Sequence, residues 1–275
     1  MMSAMNICPA SPGLLPDLAA HCAAFEHYAR TFYTGEADHD FHLDLKVEHS
    51  RNVYAHACAI AGCEPVFAED PELRRALLLA ALYHDFGRFM QYHQYRTFRD
   101  ALSVNHAVLS VREVRREGLL ASETPRVRRL ALSAVTLHNR FALSPKLPED
   151  VLAVANAVRD ADKLDIMRIM AGHLTRKGDP DPVIALNAKN SSAISPAILD
   201  AVMCRRLASY EDIVTTTDFK LLVCGWLYDL NYVFSRKTAA QEGYLGRMLD
   251  SLPRVGALQE FFPRYRRELA AYGAA

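Results

Sequence analysis

The stretch Ala80-Ala81-Leu82-Tyr83-His84-Asp85-Phe86-Gly87-Arg88-Phe89 constrains this chain more than any other. An apolar run, Ala76 to Tyr83, delivers a histidine and a carboxylate side by side and then stops at a glycine. Adjacent residues on a helix point about 100° apart, so His84 and Asp85 do not face each other. If the helix ends there, they can grip one metal from two sides, or one metal and its neighbour. Histidine supplies a neutral nitrogen, and aspartate an oxygen that can bridge two ions, a mixture suited to Fe, Mn, Zn or Co. The same doublet at a helix end can also be a hydrogen-bonded core couple, so by itself it leaves both readings open.

Size and composition bound the rest. A chain of 275 residues holds one large domain or two small ones and can bury a core. Its 32 Lys and Arg balance 32 Asp and Glu, which argues against a broad nucleic-acid or membrane-surface footprint and leaves room for a local basic pocket. Cys8, Cys22, Cys58, Cys63, Cys204 and Cys224 form no C-x-x-C pair and read as reduced core thiols. Met1 to Pro16 lacks a basic leader and is broken by Pro9, Pro12 and Pro16, against a secretory signal. No uninterrupted apolar stretch is long enough to cross a bilayer. A soluble cytoplasmic protein is the expectation.

Read in order, the chain is a succession of helices. Asp17 caps one through Leu18 to Phe32, and Gly35 to Asp40 is a polar turn. A second helix runs from about Leu43 to Ala61, closed by Gly62, and Pro65 to Pro71 connects it to the His84-Asp85 helix, with Pro71 in its first turn. Gln91 to Phe98, rich in aromatics and hydroxyls, reads as a loop over a site. Val104–Glu117, Glu123–Asn139 and Glu149 to about Leu174 are helical. Lys177 to Pro182 is the clearest breaker, with a polar stretch on to Ser195. Pro196–Tyr210, Asp218–Ser235, Ala239–Leu252 and Gly256–Tyr272 follow as helices; a β-branched strand at Ile213 to Thr217 is the weaker alternative there. The expectation is an all-α chain with residues 1–176 as the main domain and 177–275 as a C-terminal helical extension packed on it.

Each helix of the N-terminal half places a His or Asp in an apolar setting: His49, His84-Asp85, His106, His138 and Asp162. A lone histidine on such a face is usually a hydrogen-bonded core residue, and Asp162 has Arg159 and Lys163 as neighbours to pair with. Six such coincidences in this order favour one site. The order H…HD…H…H…D resembles the HD-domain superfamily over about residues 41 to 170. The glycine after the doublet, the apolar Val53 four residues after His49, and Ala161-Asp162-Lys163-Leu164-Asp165 fit that resemblance. It implies an HD-domain helical bundle in which His49, His84, Asp85 and Asp162 hold one metal, Asp85 bridges, and His106 with His138 completes a second. The cofactors implied are two divalent ions drawn from Fe, Mn, Co, Zn or Ni. The cyclic-dinucleotide phosphodiesterase branch carries paired histidines where this chain has His138-Asn139, and its Gly-Tyr-Pro signature is absent here.

Two metals about 3.5–4 Å apart lower the pKa of a bridging water and clamp a phosphate through the attack. The resemblance therefore implies hydrolysis of a phosphate ester or anhydride, of a nucleotide or another small phosphorylated metabolite, by a metal-bridging hydroxide. Asp85, Arg88 and Lys163 are expected to carry the chemistry, and Arg88, Arg140 and Lys163 to hold phosphate oxygens. His93, in the aromatic segment, is a further substrate contact. Two other classes stay open: a di-iron oxygenase of the inositol- and phosphonate-oxygenase type, which uses the same ligand order, and a metal-binding or nucleotide-sensing module. The partner expected is a small anionic phosphorylated substrate, with no membrane and no broad nucleic-acid surface, and a homodimer is open to the chain through residues 177–275.

Overall fold

The helix that ends in the His-Asp doublet begins as its sequence dictates. The Asp70 carboxylate accepts from the Leu73 backbone N–H at 3.0 Å, and Pro71 fills the first turn, where no N–H is required. In this computed structural model, which describes residues 18–274, that helix is the fourth. In chain order the helices are α1 (Leu18–Arg30), α2 (Ala37–Cys63), α3 (Pro65–Ala68), α4 (Pro71–Tyr83), α5 (Gly87–Tyr95), α6 (His106–Arg116), α7 (Pro125–Leu137) and α8 (Glu149–Leu174), then α9 (Pro196–Met203), α10 (Thr216–Gly225), α11 (Val233–Gln241), α12 (Tyr244–Asp250) and α13 (Phe261–Ala274). Among the described residues the only β pairing is an isolated bridge between Lys189 and Thr215, so the fold is all-α. Among the described residues no helix is long and apolar enough to cross a membrane.

The chain divides into two compact units, one ending at Ala161 and one starting at Asp162, so the division falls inside α8. In the first unit α4 packs against α2 and α7 and also touches α1 and α3. Every residue from Ala76 to Tyr83 is buried. A helix apolar on all sides needs neighbours on all sides, and each of its fully buried leucines contributes about 1.5–3 kcal/mol. The turn after α4 is pinned by aromatics: Phe86 and Phe89 meet Phe25 and Tyr28 of α1, with the Tyr28 and Phe86 rings stacked at 3.9 Å.

Gly87 opens α5 against α6. A Cβ there would lie 2.5 Å from the Ser110 backbone nitrogen and 2.9 Å from the His106 carbonyl oxygen. With no side chain, the Gly87 N–H instead donates to Ser110 Oγ at 2.8 Å. The glycine is therefore a close-approach residue that brings the start of α6 against the His84-Asp85 turn.

Several boundaries differ from the sequence reading, for identifiable reasons. The polar turn expected at Gly35 to Asp40 ends at Glu36, because Asp40 turns back to accept from the N–H groups of Thr34 and Gly35 and thereby starts α2 early. Gly62 does not close α2, which runs on to Cys63. The connection from Pro65 to Pro71 contains α3, with Phe67 fully buried. Gln91 to Phe98 is not wholly a loop: α5 extends to Tyr95, with Phe89 and Tyr92 buried, and Arg96 ends it in the left-handed conformation. The cap expected at Asp17 and the reading of Met1 to Pro16 lie outside the described residues.

The second unit is cut into shorter pieces than its apolar runs imply. Pro196–Tyr210 stops as a helix at Met203, and Asp218–Ser235 splits into α10, a 3₁₀ turn over Trp226–Asp229, and the start of α11. Ala239–Leu252 breaks at Gly243, whose φ of 74° only glycine adopts readily. The segment read as Gly256–Tyr272 is helical as α13 only from Phe261. Thr215 and Asp218 form a reciprocal capping box at the start of α10. The fully buried Asp218 also accepts from Ser195 and Val214, which accounts for its carboxylate.

Replacing Gly87 by Ala forces a backbone shift at the contact between α5 and α6. Overpacking of this kind costs about 1–3 kcal/mol, read as a lowered denaturant midpoint at unchanged slope. A Gly87→Ala protein as stable as wild type would contradict the close approach.

Candidate metal centre

Two helices of the first unit end in the same way. His84 caps α4 and His138 caps α7, both in αR conformation, and each ring turns back on its own helix. His84 Nδ1 donates to the Ala81 carbonyl at 2.8 Å and His138 Nδ1 to the Val135 carbonyl at 2.7 Å. A carbonyl can only accept, so the bond assigns the N–H to Nδ1 and leaves a lone pair on Nε2. His106 reaches the same state differently. It is the first residue of α6, behind the Asn105 cap, and its Nδ1 lies 2.7 Å from the Asp100 carboxylate, to which it donates. His49 sits within α2, 1% exposed.

These four rings meet in two pairs. His49 and His84 approach Nε2 to Nε2 at 3.2 Å, and His106 and His138 at 3.0 Å. In the second pair both Nδ1 atoms are donors, so in the neutral rings no hydrogen lies between the facing Nε2 lone pairs. Two lone pairs at that distance repel unless a cation sits beside them. Asp85, 3% exposed, supplies one oxygen to each pair. Its Oδ2 lies 3.7 Å from His49 Nε2 and 3.8 Å from His84 Nε2. Its Oδ1 lies 3.4 Å from His106 Nε2 and 3.8 Å from His138 Nε2. His49, His84 and Asp85 form one buried group able to hold a metal ion, and Asp85, His106 and His138 another, with the ligand atoms of each within 4.8 Å of one another.

Charge supports the donor set. Burial, with the nearby Arg88 guanidinium, lowers the His106 imidazole to about 4, so the ring is neutral at physiological pH. Burial alone would push the Asp85 carboxyl up. The Lys46 and Arg88 charges outweigh it and hold the group well below the usual carboxylate range, ionised and able to bind a cation.

Several contributors escaped the sequence reading. Lys46, three residues before His49 on α2, places its ammonium 2.8 Å from Asp85 Oδ2. The i, i+3 spacing puts both side chains on one side of the helix, a signal that was legible but had no partner assigned to it. Asp100 orients His106 and is gripped in turn by Arg88 and the fully buried Gln91, at 3.0 Å each. It lies in a 3₁₀ turn with no periodic pattern, so nothing in the sequence singled it out. Arg159, also buried, donates to the carbonyls of His138, Arg140 and Phe141 and ties down the segment after α7.

The cations expected at the site fall in different places. Arg88 is brought to Asp85, but its guanidinium also donates to Gln91, the Phe98 carbonyl and Asp100. Arg140 is exposed just beyond α7. Lys163, in the second unit, pairs with Asp229 of the same unit. His93 is exposed on α5 and sets its ring edge-on to Phe32, 5.7 Å between centroids. Asp162, the first residue of the second unit, is half-buried on α8.

Asp100→Asn removes the anion that holds His106 in its ligand tautomer. Loss of such an outer partner typically weakens metal affinity by about 10–100-fold. Titration of metal-stripped protein with Mn²⁺ or Co²⁺ measures this, and an unchanged isotherm would show that Asp100 does not support the site.

The HD domain family profile matches residues 47–167, a span that takes in His49, His84-Asp85, His106, His138 and Asp162. No curated protein and no solved structure matches the chain significantly. HD domains include metal-dependent hydrolases, and a run of histidines and aspartates delivered by successive helices to buried, metal-ready groups is what this chain has built between α2 and α8. Residues 47–167 are an HD domain.

Proposed function

We propose that the chain is a metal-dependent phosphohydrolase acting on a phosphate ester or anhydride of a nucleotide or another small phosphorylated metabolite. The observation that carries the reading is the pair of facing Nε2 groups, 3.2 Å and 3.0 Å apart, with one Asp85 oxygen turned to each. The donors fit two divalent ions: His49 and His84 on one side, His106 and His138 on the other, and Asp85 between. Asp162 joins the His49–His84 side by its resemblance to the family pattern. Along α8 it follows Arg159 by three residues and so shares its side of the helix. Two bound metals would supply an activated water and a clamp for phosphate oxygens.

The residues around the donors suit an anionic substrate. Two cations, Lys46 and Arg88, face two carboxylates, Asp85 and Asp100, so any divalent ion added leaves the site positive. Arg88 holds both carboxylates in place and in this reading acts mainly by positioning Asp85. Arg140 is the expected phosphate ligand with the fewest competing bonds, whereas Lys163 would have to give up Asp229 to serve.

The test is metal content together with phosphate release from a panel of nucleotides and phosphate esters. Asp85→Asn should lose both metal and activity, while His106→Gln and His138→Gln should keep an ion at His49 and His84. Full metal in a folded Asp85→Asn protein would overturn the assignment. Bound iron with an O₂-sensitive spectrum and no phosphate release would favour an oxygenase instead.

A further inference from the structure

Lys46 sets its charge on the Asp85 oxygen that faces His49 and His84. Its ammonium lies 2.8 Å from Oδ2 and 4.9 Å from the centroid of the Phe98 ring, with the side chain 16% exposed. It therefore lines the site and does not snorkel to solvent. A metal ion held by His49, His84 and Asp85 would draw on the same oxygen, and a monocation beside a divalent ion is repelled. The ammonium cannot move far, because its stem is rooted on α2 one turn from His49. Phe98 offers it a face to rest on, and cation–π contact of this kind supports an ammonium that has left its carboxylate. Arg88, the other cation on Asp85, has no such freedom: it is bonded at once to Asp85, Gln91, Asp100 and the Phe98 carbonyl.

We infer that Lys46 is an exchangeable cation, which holds Asp85 while the metals are absent and turns to the phosphate of the substrate once they are bound. The inference rests on the phosphohydrolase reading and adds a substrate-binding residue to it. It assigns the anion a position on the His49–His84 side of the site, and it makes a phosphoryl group, with several negative oxygens, a better fit than a neutral sugar or alcohol. A lysine suits this part because its ammonium is a compact charge on a flexible four-carbon stem.

The experiment uses the full chain loaded with Mn²⁺ and inorganic phosphate as the probe, by calorimetry, on wild type, Lys46→Met and Lys46→Arg. A parallel titration of metal-stripped protein follows Mn²⁺ itself, and thermal melting confirms that each variant folds. Lys46→Met should weaken phosphate binding by about 10–100-fold, the worth of one charge-assisted hydrogen bond, with Lys46→Arg retaining more. Mn²⁺ affinity should stay the same or rise in Lys46→Met, since a competitor for Asp85 is gone. Weaker Mn²⁺ binding in Lys46→Met, with phosphate binding to the saturated protein unchanged, would make Lys46 a structural counter-ion and overturn the inference. If wild type releases phosphate from an ester and Lys46→Met binds phosphate as tightly, the inference alone fails. If metal-loaded wild type neither binds phosphate nor hydrolyses any ester, the phosphohydrolase reading fails with it.

Discussion

Burying an ionised carboxylate costs several kcal/mol unless its charge is matched. Around Asp85 the match comes from Lys46 at 2.8 Å and Arg88 at 3.3 Å, on opposite oxygens. Much of the first unit follows from keeping that arrangement. The Ala76–Tyr83 run drives α4 into the core and carries the doublet with it. The stack of Tyr28 on Phe86 fixes the turn that presents Asp85, and the bare Gly87 lets α6 close over it to deliver His106. Hydrophobic burial supplies the energy here, and the polar groups decide which way each ring points.

Orientation is what separates these histidines from ordinary core histidines. His21 is also buried, yet its two ring nitrogens are used up on Tyr83 and Glu123. In His84, His106 and His138 one ring nitrogen is satisfied by the protein and the other points at a second nitrogen. The repeated device at the ends of α4 and α7, a ring folded back onto the carbonyl three residues before it, needs no help from elsewhere in the chain. It is a local bond at a helix C-terminus, and it sets the tautomer without a tertiary contact.

That locality explains what could be read from the amino-acid sequence. The helices of the first unit, Pro71 in the first turn of α4, and the order of the ligand residues are short-range signals, and they were legible. Asp100 and Gln91 were not, because their part depends on Arg88 bringing a 3₁₀ turn back onto α5, a contact between residues with no shared periodicity. The aromatic segment from Gln91 suggested a loop because its polar residues dominate the count, whereas burial of Phe89 and Tyr92 holds its first part helical. Lys163 adds a contact that adjacency alone does not reveal. Neighbours on a helix diverge by about 100°, and its ammonium meets Asp229, a partner 66 residues away that no local pattern announces.

The central claim is that one carboxylate is shared by two cation sites, each completed by a histidine pair. Anomalous diffraction from crystals of the Mn²⁺-loaded protein tests it most directly. The account predicts two peaks about 3.5–4 Å apart, one beside His49 and His84 and one beside His106 and His138, with an Asp85 oxygen on each. A single ion away from Asp85, or no ordered ion among these four histidines, would contradict it.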